Sequence, residues 1–183
     1  EMTDSTRWTN ERFGGYHLRH PLEDDVDLTR VGPTQPCGEY MRRFWFPVAI
    51  TEQLGERPVP IRILGEDLVI FRDLSGVIGL LHRHCSHRRM SLEYGRIEQN
   101  GIRCAYHGWQ FDVDGTILDT PGEPAESTIK DKICHGAYPV REFKGLVFAY
   151  MGPPDKKPSF PILDSFNIDG HEMIPYSIHS PCN

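Results

Sequence analysis

Long apolar runs are missing from this sequence, and none approaches the ~20 residues that a membrane-crossing helix needs. No basic segment leads into an apolar one near Glu1-Met2-Thr3-Asp4, so no signal peptide is expected. Glu1 reads as a remnant ahead of a native start at Met2. Cysteine is scarce and odd in number, five in 183 residues. Cys37, Cys134 and Cys182 stand far apart without a paired spacing, which argues against a secreted disulfide framework. Positive charge is in deficit, with 20 Lys and Arg against 26 Asp and Glu. The resulting net charge of −6 speaks against nucleic acid as a general partner, while leaving room for a protein that reads a local patch. These absences point to a cytoplasmic chain without a membrane partner. It is long enough for one domain with a modest core, or for one domain and a piece of another.

What is present is a succession of short β-prone stretches with turn chemistry between them. Residues 1–27 are polar and irregular, reading as a surface arm or a short helix. Gly32-Pro33 and Pro36-Cys37-Gly38 break the chain before a brief helical turn over residues 39–43. Residues 44–50 are β-rich despite Pro47, which predicts an edge or bulged strand. Residues 59–64 and 68–72 flank Gly65-Glu66-Asp67 as a hairpin, and Asp73-Leu74-Ser75-Gly76 turns into a strand over 77–81. Asn100-Gly101 signals a hairpin turn into Ile102-Arg103-Cys104. Residues 109–113 and 116–118 flank Asp114-Gly115, and residues 138–143 and 146–151 flank Lys144-Gly145. A stretch dominated by proline, glycine and polar residues runs between these two hairpins, to Lys132. The pattern predicts an all-β domain of packed antiparallel sheets. We place an N-terminal arm at 1–40, the domain at 41–152 and a linker from 153, where Pro153-Pro154-Asp155-Lys156-Lys157-Pro158 stands. Residues 171–183 have strand character.

The chain turns on Cys85-Ser86-His87 and Cys104-Ala105-Tyr106-His107, which are separated by sixteen residues. Each cluster offers one thiolate and one imidazole. A structural zinc site more often collects its ligands in pairs of one kind. Two irons bridged by sulfides need two ligands each, and two loops can clamp such a cluster from opposite sides. With Cys85 and Cys104 on one iron and His87 and His107 on the other, the arrangement is a Rieske [2Fe–2S] centre. Two ferric ions, two sulfides and two thiolates sum to zero charge. The potential then lies roughly between −150 and +300 mV, rather than near about −400 mV for plant-type ferredoxins. Zinc in the same pocket is the chemical competitor, and ordinary core cysteines with loop histidines are the plainer alternative.

At these residues the chain resembles the Rieske domain of Rieske non-haem iron aromatic oxygenases, in the phthalate dioxygenase-like and vanillate O-demethylase-like branch. The resemblance runs over about residues 28–183. It is carried by Leu28-Thr29-Arg30-Val31-Gly32-Pro33, Met41-Arg42-Arg43-Phe44-Trp45-Phe46-Pro47-Val48-Ala49, Leu64-Gly65-Glu66-Asp67-Leu68-Val69 and Phe71-Arg72-Asp73. Gly101-Ile102-Arg103-Cys104-Ala105-Tyr106-His107-Gly108-Trp109 and Gly145-Leu146-Val147-Phe148-Ala149-Tyr150-Met151-Gly152-Pro153-Pro154 continue it. Two positions depart: Ser86 and Arg89 stand where the family often has Pro and Gly.

The resemblance implies the Rieske iron–sulfur fold, with the cluster held by two hairpin-like loops. It implies an electron donor (a reductase or ferredoxin) and a mononuclear Fe(II) in a catalytic domain that residues 171–183 would open. O₂ would be activated there, on an aromatic acid or methoxylated aromatic. The whole enzyme would be a homotrimer, and this chain alone, possessing no catalytic residues of its own, a monomer passing single electrons. His171, His179, Asp164 and Glu172 lack the spacing for a substitute iron site. The disulfide of respiratory-type relatives cannot form here, because Arg88, Arg89 and Met90 follow His87 and Ala105 follows Cys104. Those relatives carry hydroxyl donors where Trp109 and Phe111 stand, which implies a potential in the lower part of the Rieske range. Trp109 and Phe111 are expected to pack against the loops, Arg88 and Arg89 to face solvent, the redox partner or a neighbouring subunit, and His82 and His84 to share one face without ligating. A free-standing Rieske-type ferredoxin and a zinc-bound module are the alternative readings.

Overall fold

The computed structural model describes residues 23–178. Residues 1–22 of the expected arm, together with His179 and Cys182, lie outside the described residues. Two short helices open the fold, α1 (Val26–Thr29) and α2 (Pro36–Met41). Strands follow as β1 (Trp45–Ile50), β2 (Val59–Ile63), β3 (Glu66–Arg72), β4 (Ile78–His82), β5 (Arg96–Ile97), β6 (Ile102–Arg103), β7 (Gln110–Phe111) and β8 (Ile117–Asp119). Helix α3 (Ile129–Lys132) leads to β9 (Ala137–Tyr138), β10 (Val140–Phe143) and β11 (Leu146–Tyr150). Among the described residues no helix is long and apolar enough to cross a membrane.

Three antiparallel sheets result, in the orders β1-β11-β10, β2-β3-β4-β9 and β5-β6-β7-β8. The middle sheet is apolar on both faces because β3 carries an unbroken apolar run. Leu68 and Ile70 enter one core with Leu80, Val147 and Ala149, while Val69 and Phe71 enter the other with Leu81, Trp109 and Phe111. Alternation of side chains along a strand produces that split. The second core also takes in Cys85 and Cys104, so the metal loops are roofed onto the middle sheet. Asp73 ties the layers, its carboxylate accepting the N–H groups of Ser75, Val77 and Gly101 at 2.9–3.1 Å.

Most expected elements are present, with informative shifts. Pro47 sits in edge strand β1, whose register slips between Pro47 and Ala49. The β2–β3 turn is only Leu64-Gly65, both at positive φ (46° and 78°), as a two-residue type I′ turn requires. Glu66 and Asp67 therefore belong to the strand. Pro36 starts α2 rather than breaking the chain, since its fixed φ and missing N–H suit the first helical position. Pro139 splits the expected strand over 138–143, sending β9 to the middle sheet and β10 to the outer one. The expected strand over 171–183 is corrected: residues 171–178 form no strand, and Ile174, Tyr176 and Ile178 are exposed. The segment from Pro158 docks on the outer sheet, with Trp45 Nε1 donating to the Pro158 carbonyl at 3.0 Å and Phe160 packed edge-on to Phe148.

Candidate metal centre

Two loops rise from the ends of β4 and β6 and fold onto the same backbone frame. In the first, Cys85 N–H donates to the Met90 carbonyl at 2.9 Å and Arg89 N–H returns to the Cys85 carbonyl at 2.8 Å. In the second, Cys104 N–H donates to the Trp109 carbonyl at 2.8 Å and Gly108 N–H returns to the Cys104 carbonyl at 3.1 Å. Both returning residues lie four positions after their cysteine and both have positive φ, 60° at Arg89 and 74° at Gly108. The loops thus close alike although their histidines stand at different spacings.

Each loop is also clamped from outside. Arg103, just before Cys104, donates from Nη1 to the Gly108 carbonyl at 2.6 Å and to Asp119 Oδ2 at 2.8 Å. Its Nε reaches Glu98 Oε1 at 3.1 Å. The first loop is held by Arg83, paired with Glu93 at 2.6 Å, and by contact between Ser86 and His135. Neither Arg103 nor His135 stands out in the sequence as a site residue. Arg103 is signalled by adjacency to Cys104, whereas His135 carries no local signal, since its partners lie 49 and 53 residues away.

The four expected ligands form two pairs, one of thiols and one of imidazoles. Cys85 and Cys104 are buried, at 2% and 4% exposure. Burial pushes the Cys85 thiol up to about 11; the His87 and Arg88 N–H groups pull against it, while the Cys104 thiol adds to the rise. The His87 and His107 rings stand 4.7 Å apart between centroids, and His87 lies flat on Trp109, also at 4.7 Å with 4° between planes. Burial, then the neighbouring His87 and Arg88, hold the His107 pKa below the usual histidine value. Its ring is neutral near neutral pH and offers a lone pair.

A metal group fits these residues on one further observation: His87 Nδ1 is buried and, among the described residues, has no hydrogen-bond partner. An orphaned imidazole nitrogen is unfavourable without a cation to bind it, and thiols in apolar surroundings ionise only when a metal or positive charge stabilises the thiolate. Among the described residues no three His, Cys, Asp or Glu side chains converge as they would around one ion. A binuclear group asks only for two pairs, and the site offers a thiol pair and an imidazole pair.

The other expected positions sort by burial. Trp109 and Phe111 are enclosed, at 2% and 0% exposure, and pack against both loops. Arg88 and Arg89 are exposed, and Tyr106, at 61% exposure, lays its ring 3.7 Å from that of His107. His82 and His84 line one polar hollow with Glu66, Asp67, Arg83 and Arg89. There Glu66 accepts from Arg42 Nη1 at 2.8 Å and Tyr138 Oη at 2.5 Å, and pairs with His82 Nε2 at 3.3 Å. Asp164, His171 and Glu172 are exposed and converge on nothing.

Fold and site together define a small β-domain that presents two matched loops to a binuclear metal group. Residues 44–144 match the family model described as the Rieske [2Fe-2S] domain. The chain belongs to that family, whose cofactor is the [2Fe–2S] cluster. It is 49% identical over 175 residues to the tert-butanol monooxygenase / tert-amyl alcohol desaturase oxygenase subunit of Aquincola tertiaricarbonis, covering 93% of this chain and 37% of that one. It is 48% identical over 141 residues to the phthalate 4,5-dioxygenase oxygenase subunit of Pseudomonas putida, covering 75% and 32%. A crystal structure of dicamba monooxygenase with non-heme iron and dicamba superposes with a TM-score of 0.62 at 26% identity, over 70% of this chain and 39% of that one. The chain thus spans between 32% and 39% of the length of these relatives.

Proposed function

We propose that Cys85, His87, Cys104 and His107 hold the [2Fe–2S] cluster, and that the chain is the electron-transfer part of an oxygenase subunit. The observation that carries this is the orphaned Nδ1 of His87, set beside His107 in a domain whose two loop cysteines are buried. When bound, the cluster takes up and releases one electron at a time. The protein's own residues decide where that happens. Cys85 and Cys104 sit on the core side, roofed by Trp109 and Phe111, which exclude water from the thiolates. The two imidazoles lie outward of them with Tyr106, Arg88 and Arg89, so a partner approaches through the imidazole edges.

The donor is a reductase or ferredoxin, and the acceptor is a mononuclear iron in a catalytic domain that activates O₂. Residues 41–152 form the electron-transfer domain, with a linker beginning at 153. The relatives' names support an oxygenase system but not one substrate, since they include an alcohol and phthalate. The test is iron and acid-labile sulfide analysis of the purified chain and of four single variants. Two irons and two sulfides per chain are expected. Each of Cys85→Ser, Cys104→Ser, His87→Ala and His107→Ala loses both. A variant retaining the full complement removes that residue from the ligand set.

A further inference from the structure

His135 is fixed from four sides. Its Nδ1 stands 2.6 Å from Ser86 Oγ and its Nε2 2.7 Å from the His82 carbonyl oxygen. Its backbone N–H donates to the Gly115 carbonyl at 2.8 Å, and its ring lies on Phe111 with centroids 4.5 Å apart. These partners are the first ligand loop, the strand entering it, the turn beyond the second loop and the strand leaving that loop. The side chain is 3% exposed. Gly136 allows the approach, since a Cβ there would collide with the His82 ring.

Hydrogen positions follow from the partners. A carbonyl oxygen only accepts, so Nε2 carries the hydrogen. In the neutral ring Nδ1 then holds a lone pair, and the Ser86 hydroxyl donates to it. Burial pushes the His135 pKa down, outweighing the lift from the His82 carbonyl, so the neutral ring prevails. Ser86 is exposed; without His135 its hydroxyl would turn to water and release its hold on the chain between Cys85 and His87.

We propose that His135 is a positioning residue for the first ligand loop, anchored on the His82 carbonyl and accepting the Ser86 hydroxyl hydrogen bond so that Cys85 and His87 keep their places. The proposal rests on Cys85 and His87 being cluster ligands. The test measures the rate of cluster loss to a chelator, followed by visible bleaching, with Ser86→Ala read in three backgrounds. Reading the serine's effect within each background cancels the packing cost of replacing the ring.

Ser86→Ala accelerates loss about fivefold in the unsubstituted chain, the factor one net hydrogen bond supplies. It does so again in His135→Asn, whose Oδ1 stands near the place of Nδ1, and has no effect in His135→Phe. A ring that merely fills space would give the opposite pattern, with Ser86→Ala silent everywhere. Either that silence or an equal effect in His135→Phe overturns the proposal. If the His135 variants fail to fold, the single substitution at exposed Ser86 still decides. Failure of the ligand assignment shows instead as Cys85→Ser or His87→Ala retaining the full iron and sulfide complement, and removes both.

Discussion

A buried polar atom left without a partner costs roughly 1–3 kcal/mol, and His87 Nδ1 is such an atom. Trp109 stacked on the ring keeps water from repairing the loss, which is why the residue makes sense as a ligand and poorly as a core histidine. The same tryptophan, with Phe111 after it, occupies positions that lack a hydroxyl, so the sulfurs gain no hydroxyl donor from them. The reduction potential is accordingly expected in the lower part of the Rieske range, and a potentiometric titration should place it below about +100 mV. Asp73 gives a second prediction, on stability. Burial alone would raise its pKa, but the Ser75 hydroxyl and the N–H groups of Val77, Gly101 and Ser75 together hold it below the usual carboxylate range. A depressed folded-state pKa contributes stability that is present above the unfolded value and lost as pH falls through the folded one. Asp73→Asn should therefore lower stability by about 1–3 kcal/mol at pH 7. The deficit should shrink toward zero in acid, below the folded-state pKa, which denaturant melts at several pH values would follow.

The two ligand loops share one hydrogen-bond frame, and each frame needs a residue at positive φ where the chain returns to its cysteine. Gly108 meets the need at no cost, whereas Arg89 adopts φ 60° with a side chain attached. A non-glycine residue there costs roughly 1–2 kcal/mol. Arg89→Gly should raise Tm by roughly 2–4 °C and Gly108→Ala should lower it, the size of shift that about 1 kcal/mol gives in a chain of this length. How much of this was legible in the sequence depends on the range of the interactions. The hairpin closed by Lys144-Gly145 is written in adjacent residues, as are the ligand spacings, whereas the turn expected at Gly65-Glu66-Asp67 closes instead at Leu64-Gly65, where Ile63 pairs with Glu66. The start of α2 was obscured because Pro36 reads as a breaker unless its place in the helix is known. Pro139 hides a change of sheet, since strand character on both sides looks continuous. Residues 171–178 form no strand because apolar alternation makes a strand only where a sheet edge accepts it. His135 was illegible for the same reason: its three side-chain partners, Ser86, His82 and Phe111, meet it only after the chain has closed on itself.

The whole chain carries a net charge of −6, yet Arg88 and Arg89 stand exposed on the loop that bears His87. A local basic spot on an acidic molecule orients an incoming acidic donor, and such steering weakens as salt screens it. Arg88→Glu with Arg89→Glu should slow reduction by an acidic ferredoxin-type donor about tenfold at low ionic strength, with the difference fading at high salt. Stopped-flow reduction across a salt series reads the difference. The described residues form a three-layer β-domain whose middle sheet supports two loops, and those loops are proposed to hold one cluster on two sulfurs and two imidazoles. Pulsed EPR of the reduced protein tests that claim most directly. One unpaired spin per chain is expected, coupled to nitrogens from two separate imidazoles, with both couplings abolished along with the signal in His87→Ala and His107→Ala. A reduced signal without nitrogen coupling, or a bound metal that stays EPR-silent in every redox state, would contradict it.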